Sequence, residues 1–405
     1  MKILLIHNRY QQPGGEDSVF QAENDLLSGY GHEIDQMVLD NSSIKTVFDR
    51  CLSGLKTLYN PDSARLLKTK IQSFHPDVIH VHNFFPLVSA SIFFMAKRLG
   101  IPVVVTLHNY RLICPSATLF YQGRIYEKSI HSIFPFDAIL KGVYRNSKVQ
   151  TAAVALMTAV HRLLGTWKNK IDVYIVLTQF AKEKFEESTL AILVEKLVVK
   201  PNFVKDCGRG NTGRDDFFLF VGRLTEEKGI RTLLKAAKLY KFNLTIVGDG
   251  PLRNVVEDYA SQCANICYPG FQDKSVVMNY MKKCKALIFP SIWYEGFPVT
   301  ILEAFSAGTP VIASRLGSMK EIVSDRVNGL HFEPGNANDL GSKIIEMTTD
   351  KKLAGELSDQ ARQTYLNQYT PDRNYSQLMG IYRWVIDGKQ PNQKMKLRTL
   401  KPVSV

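Results

Sequence analysis

The sequence predicts an α/β chain of two doubly wound, parallel-sheet domains. Three observations predict it. Short apolar runs alternate with helix-length stretches, several of these runs break at a glycine just where a helix begins, and 405 residues is more than a single core holds. Hydrophobic residues make up 45% of the chain and charged residues 22%, with no repeat or low-complexity array, so the disordered, fibrous and solenoid classes are set aside.

The first strand is residues 3–6 of Met1-Lys2-Ile3-Leu4-Leu5-Ile6-His7. Its apolar run stops at His7-Asn8-Arg9 with no cleavage motif, so it is a strand and not a secretory leader. Gly14 and Gly15 follow, where a glycine loop lets backbone approach a ligand closely. The spacing is not G-x-G-x-x-G, and no acidic residue about twenty positions on closes a second strand in the dinucleotide manner. Glu16 and Asp17 either start the next helix or bind an acceptor, and the pattern does not separate the two.

Runs at 33–39, 78–81, 103–107 and 173–177 continue a parallel sheet, whose ligands lie at the carboxyl ends of the strands. His7, His80, His82 and His108 stand at or just past those ends. A metal site built from three of them would want an Asp or Cys at a supporting spacing; none is there, so polar lining of a cleft is expected and metal is not. For His80 and His82, on one face of their strand, a structural role and substrate contact are equally compatible.

A strand at 197–199 ends at Pro201, and the glycine- and arginine-containing stretch 206–216 reads as a linker, placing a domain boundary near 200–203. Beyond it, 217–221 breaks at Gly222 into a loop bearing Arg223 and Lys228, then a helix over 230–240. A planar donor fork and a mobile point charge are the pair expected around a diphosphate. The run 244–247 ends in Gly248-Asp249-Gly250-Pro251, repeating strand, glycine turn and helix.

A strand at 286–289 leads into Trp293-Tyr294-Glu295-Gly296-Phe297-Pro298-Val299-Thr300-Ile301-Leu302-Glu303-Ala304. Glu295 falls in the loop and Glu303 two turns into a helix whose first-turn proline is Pro298. The amides of Phe297, Val299 and Thr300 would point outward, and the helix dipole favours phosphate there. Carboxylates beside an anion site suit the hydroxyls of a sugar and a ribose, so the layout fits a nucleotide sugar.

Taken in order, GRL-x3-KG (222–229), GDGPL (248–252), E-x7-E (295–303) and AGTPVIAS (307–314) resemble the C-terminal half of the retaining glycosyltransferases of family GT4. The resemblance extends over residues 1–385 through Pro13-Gly14-Gly15-Glu16, Pro76-Asp77-Val78-Ile79-His80-Val81-His82-Asn83 and Thr106-Leu107-His108-Asn109-Tyr110. It implies a GT-B fold, with two Rossmann-like doubly wound domains facing across a cleft. It also implies no metal, no cofactor beyond the substrate nucleotide sugar, and transfer with retained anomeric configuration.

Carried over by residue, the resemblance implies a catalytic set of Glu295, His108, Arg223 and Lys228. Arg223 and Lys228 would meet the leaving diphosphate, Glu295 the donor sugar's hydroxyls, Glu303 the ribose, and His108 the same sugar from the other domain. Gly14 and Gly15 would face the donor phosphates; Gly296, Phe297, Pro298, Val299 and Thr300 would form the donor wall. Base recognition is expected near Gly270 and Phe271, with UDP the expected carrier on family frequency. Glu16, His82 and Asn109 are the acceptor candidates. Residues 1–202 would bind the acceptor and 203–385 the donor, with the last residues crossing back to the first domain and 386–405 a basic tail. A nucleotide-sugar epimerase of the same fold is the alternative, acting on the donor alone. Tyr126 and Ser129 stand where many bacterial members place a cysteine pair, so no metal or disulfide role is expected of that loop.

Formal net charge is +13, and residues 97–170 hold eleven Lys or Arg against two acids. That segment also carries apolar runs, none near the roughly 20 residues of a membrane span, so it is expected to lie on an anionic cytoplasmic leaflet. Six cysteines without C-x-x-C spacing fit a reduced, cytoplasmic chain. The partners expected are therefore a nucleoside diphosphate sugar, a lipid-linked or saccharide acceptor, and the inner face of the cytoplasmic membrane. Nucleic acid is not expected, because the cations lie on no helix-turn-helix or aromatic-studded sheet and the two glutamates would have no use.

Overall fold

The computed structural model describes residues 1–9, 14–40, 56–210 and 213–388. Pro13 of the glycine loop, Cys51, and the tail cations Lys389, Lys394, Lys396, Arg398 and Lys401 lie outside the described residues.

Two six-stranded sheets, each with all its pairings parallel, organise the chain. In the first sheet β1 (Lys2–Arg9), β2 (Glu33–Asp40), β3 (Val78–Val81), β4 (Val103–Leu107), β7 (Val173–Val176) and β8 (Leu197–Val199) stand in the order β2-β1-β3-β4-β7-β8. Between β4 and β7 a small antiparallel hairpin, β5 (Phe120–Tyr121) and β6 (Arg124–Ile125), occupies part of the basic segment. The second sheet joins β9 (Phe218–Val221), β10 (Leu244–Val247), β11 (Ile266–Gly270), β12 (Leu287–Phe289), β13 (Val311–Ser314) and β14 (Gly329–Phe332) in the order β11-β10-β9-β12-β13-β14. These are two Rossmann-like domains, as expected; the expected strands end within a residue of the observed ones, except the first, which runs three residues past its expected end to Arg9.

Both sheets are covered on both faces, which is why their strands read as unbroken apolar runs. In the first, Leu4, Ile6, Ile79 and Val105 face one core. Ile3, Leu5, Val104 and Ile175 face another, closed by Leu378, Met379, Ile381 and Tyr382 of the helix Pro371–Asp387. The chain thus returns to the first sheet after completing the second, and residues 371–387 complete the core of the first. In the second sheet Phe218, Phe220, Ile246 and Ile288 face one core and Leu219, Val247, Leu287 and Phe289 the other.

Strand order reverses between β1 and β3 in the first sheet and between β9 and β12 in the second. A crevice opens beyond the carboxyl ends of strands at such a switch point, because the flanking connections leave in opposite directions. Several candidate residues follow those four strands: Gly14 to Glu16 after β1, His82 after β3, Arg223 and Lys228 after β9, and Glu295 after β12, while His108 and Asn109 follow β4 and Gly270 ends β11.

Candidate active site

On the second domain, β9 hands over to Gly222, whose amide bonds the Val247 carbonyl at 3.1 Å. Gly248 lies so close behind it that an added Cβ would sit 1.9 Å from the Gly222 carbonyl oxygen, so the turn admits only glycine there. Gly229, at φ +72°, closes the Arg223-to-Lys228 loop against Pro290, whose carbonyl oxygen would lie 1.9 Å from a Cβ. That contact seats the loop on the segment after β12 and brings the Lys228 ammonium within 2.7 Å of Glu295 Oε1.

Glu295 is buried, and its Oε1 also accepts from Ser291 Oγ at 2.6 Å and Trp293 Nε1 at 2.8 Å. Lys228 Nζ lies over the rings of Phe289 and Trp293, at 5.5 and 5.6 Å. The carboxylate therefore fixes the lysine in an aromatic frame. Gly296 is where the domains touch, since a Cβ there would come 2.5 Å from the His108 carbonyl oxygen.

The helix after it, Val299–Ser306, begins one residue later than expected: Pro298 is its N-cap, not its first-turn residue. Pro298 holds extended backbone (φ −79°, ψ 92°), and its carbonyl accepts the Ile301 amide at 3.0 Å. The residues of its first turn, Val299 and Thr300, line the cleft, and their amides have no acceptor within the helix. Glu303 consequently lies just over one turn in, not two. It is outside the cleft lining, with its Oε1 3.0 Å from the exposed Lys274 ammonium at the start of the helix Lys274–Lys283. Gly270, the last residue of β11, and the exposed Phe271 are also outside that lining.

Across the cleft, Gly14 precedes the helix Gly15–Gly29 and donates its amide to Asp17 Oδ2 at 2.7 Å. Asp17 Oδ1 meets His7 Nε2 at 2.8 Å. Asp17 is thus the residue that starts the helix, and Glu16 the one that faces the cleft. Burial, with Asp17 beside it, raises the Glu16 carboxyl to about 8. His108 lines the cleft half-buried and stacks on His82, with ring centroids 5.3 Å apart and Nε2 3.1 Å from His82 Nδ1. Burial and the neighbouring histidines push His108 down to about 3, so it meets a ligand neutral. His82 and Asn109 line a smaller cavity behind His108, away from the main cleft.

The structure supplies the carboxylate that histidine spacing alone did not show. Glu23, on the buried face of the Gly15–Gly29 helix, lies 3.1 Å from His80 Nδ1 and 3.8 Å from His82 Nε2. Those three groups have the proximity of a metal site. The lysine at the domain crossover, Lys200, instead brings its ammonium 3.5 Å from Glu23 Oε2, supplying the positive charge that a metal would bring. Lys200 also donates to Asn374 at 3.0 Å, and His80 pairs with Tyr382 at 2.7 Å and Thr106 at 2.8 Å. Burial alone would raise Glu23, but Lys200 and His80 outweigh it and hold the carboxyl well below the usual range. An acid at a core position of an amphipathic helix was the only sequence signal for this network.

The cleft between these walls has a volume of about 770 Å³. It brings together Gly14, Gly15, Glu16 and His108 with Arg223, Lys228, Glu295 and the 296–300 stretch. It adds Arg111 and Arg145, which in sequence count only as basic surface, and Tyr144, which nothing in the sequence singles out. A second bridge closes the domains, where Glu321 accepts the amides of Gln179 and Phe180, at 2.8 and 3.0 Å, at the start of the helix Gln179–Glu186. Phe180 packs against Tyr294 with ring centroids 4.7 Å apart.

Known proteins match this arrangement over most of the chain. Residues 208–364 match the glycosyl transferases group 1 family, and residues 31–206 match glycosyltransferase family 4. The chain is 28% identical over 312 residues to an uncharacterised glycosyltransferase of Methanocaldococcus jannaschii, covering 76% of each. It is 25% identical over 222 residues to the O-antigen chain mannosyltransferase C of Escherichia coli, covering 53% of this chain and 60% of the relative. Among solved structures, Anabaena HepE in complex with UDP superposes with a TM-score of 0.66 at 16% identity, covering 94% of this chain and 99% of the other. The chain belongs to the group 1, family 4 glycosyltransferases and has their GT-B fold.

Proposed function

We propose that this glycosyltransferase moves a sugar, with retention, from a UDP-sugar to a lipid-linked or surface-polysaccharide precursor at the cytoplasmic face of a membrane. One observation carries the reading. Arg223, Lys228 and the first turn of the Val299–Ser306 helix line one wall of a cleft whose other wall is Gly14, Gly15 and His108.

A nucleoside diphosphate laid across that wall has two cations and a helix start for the charge that develops on its leaving oxygen. Such preorganised donors contribute most where charge appears, and they remove the need for a metal. Glu295 acts chiefly by holding Lys228, leaving Oε2 for a donor hydroxyl. Glu303 would accept from the ribose after Lys274 releases it. Neutral His108 would hydrogen-bond the sugar from the acceptor side. With the diphosphate and the acceptor on one face of that sugar, its anomeric configuration is retained.

Relatives lean the same way: HepE was solved with UDP, and the Escherichia coli relative is named for the O-antigen chain. For the membrane, the helices Phe136–Lys141 and Lys148–Leu163 present exposed Phe136 and Leu140, and exposed Val149, Leu156 and Leu163 at seven-residue intervals. Lys141, Arg145 and Lys148 stand beside them. Among the described residues no helix is long and apolar enough to cross a membrane. An apolar stripe edged with cations suits the surface of an anionic leaflet.

The test is a thermal-shift titration with UDP, GDP, ADP, CMP and NAD on wild type, Arg223→Ala and Glu303→Ala. A ligand at a hundred times its Kd stabilises by about 2.7 kcal/mol. UDP should shift wild type and lose most of that shift in Glu303→Ala, while Arg223→Ala should lower kcat by about 10²-fold. A shift with NAD alone, or with none of the five, would overturn the reading; turnover of a UDP-sugar without acceptor would favour the epimerase.

A further inference from the structure

Two guanidinium groups on the acceptor wall have no part in the chemistry described above. Arg111 and Arg145 both line the cleft, on the first domain, while Arg223 and Lys228 line it on the second. Arg111 follows β4 by a few residues and lies over the Phe85 ring at 4.3 Å. It lies also over Tyr144, with its guanidinium carbon 4.8 Å from the ring centroid. Arg145 lies 5.3 Å from that same centroid. One tyrosine ring thus holds both cations, close enough for a single small ligand to touch the two.

Nothing in the fold demands this. Two like charges gathered on one wall repel, and a neutral saccharide would be better served by carboxylates and amides. Arg145 forms no ion pair among the described residues, and it stands with Asn146 in the left-handed region, at φ +53° and +52°. Consecutive left-handed residues other than glycine cost on the order of 1 kcal/mol each. The turn that contains them joins the helix Phe136–Lys141 to the helix Lys148–Leu163, the two that carry the exposed apolar stripes. The one acid of this wall is Glu16, which faces Arg111; its raised carboxyl is protonated at neutral pH and can donate to an anion without repelling it.

We propose that Arg111 and Arg145 bind a phosphate group of the acceptor, so that the substrate is a saccharide joined through phosphate to a lipid whose chain leaves along the apolar stripes. Arginine suits the role because its planar fork matches phosphate oxygens in pairs. The donor diphosphate has its own cations, Arg223 and Lys228, on the opposite wall, so each pair of cations serves one substrate. This rests on the transferase reading, and names the chemistry of its second substrate.

The probes are farnesyl diphosphate, farnesol and inorganic pyrophosphate, titrated calorimetrically into protein saturated with UDP so that the donor wall is filled. Farnesyl diphosphate should bind at least about tenfold more tightly than either of the others. Arg145→Gln, an exposed change that keeps the fold, should weaken it about tenfold without changing the Kd for UDP; Arg145→Lys should recover part of the loss. Equal binding of farnesol would overturn the phosphate site, and equal binding of pyrophosphate would overturn the lipid. Weakened UDP binding in Arg145→Gln would reassign the arginine to the donor. If wild type binds no nucleotide, the transferase reading fails by itself, and the phosphate site is then judged by the same titration without UDP.

Discussion

Glu16 shows how much a single position can say once its neighbours are in place. Its carboxyl is buried beside Asp17, with Arg111 and Asn109 opposing the shift only in part, and its folded value of about 8 stands above the ordinary 4.5. Between those two values the unfolded chain loses the proton while the native state keeps it. Stability attributable to this group therefore falls as pH rises from about 4.5 to about 8. Glu16→Gln, which keeps the shape and never ionises, should be more stable than wild type at pH 8, on the order of 1 kcal/mol after solvent screening, and equal to it at pH 4.5. Urea denaturation at the two values checks this; a variant less stable at pH 8 would mean that Glu16 is ionised. In sequence Glu16 fits both helix start and acceptor contact, because only the bond from the Gly14 amide to Asp17 separates those roles. Gly248 was legible as the turn between a strand and a helix, whereas the close approaches of Gly229 to Pro290 and of Gly296 to His108 were not, because each partner lies far off in sequence. Arg111 and Arg145 were not, because in sequence they are two of eleven cations and only Tyr144 brings them together.

At the scale of elements, what could be read was what is local. Strands β3, β4, β8 and β10 stand where their apolar runs stand, since a parallel strand covered on both faces has no polar alternation to blur it. The start of the Val299–Ser306 helix was misplaced by one residue, because a proline fits the N-cap backbone as well as the first turn. The Glu23 network was out of reach: it joins the first helix, β3, the domain crossover at Lys200 and the last helix, and Glu23 and Lys200 are 177 positions apart. Each group there is buried, so the charges hold one another in place at the hinge. Glu23→Gln should leave the Lys200 ammonium buried without its countercharge and destabilise by about 3–5 kcal/mol. Glu23→Leu with Lys200→Met should recover most of that loss, since exchanging a buried pair for apolar groups is often neutral. Equilibrium urea unfolding of the single and double variants decides it; if Glu23→Gln costs under about 1 kcal/mol, the pair is not what secures the crossover.

For the whole molecule, the surfaces proposed for nucleotide and for membrane belong to different parts of the fold. The wall that bears Arg223, Lys228 and Glu295 belongs to the second domain, which meets the first through Gly296 on His108 and Glu321 on the start of the Gln179–Glu186 helix. The apolar stripes of Phe136–Lys141 and Lys148–Leu163 lie wholly on the first domain and contain none of the residues at which the domains meet. Membrane attachment and nucleotide binding should accordingly be separable. Val149→Asp with Leu163→Asp places two carboxylates on one exposed stripe, at positions 80% and 83% exposed, where neither supports the core. Each buried apolar side chain lost from a bilayer costs about 1.5–3 kcal/mol, and each new charge opposes an anionic leaflet further. The double variant should lose at least about tenfold in co-sedimentation with phosphatidylglycerol-containing vesicles, and keep the UDP shift of wild type. Binding by wild type should also fall with salt, because the stripe is edged by Lys141, Arg145 and Lys148. Undiminished sedimentation would show that this face does not meet the membrane; a lost UDP shift would show that the stripe supports the cleft, and that the two surfaces are one.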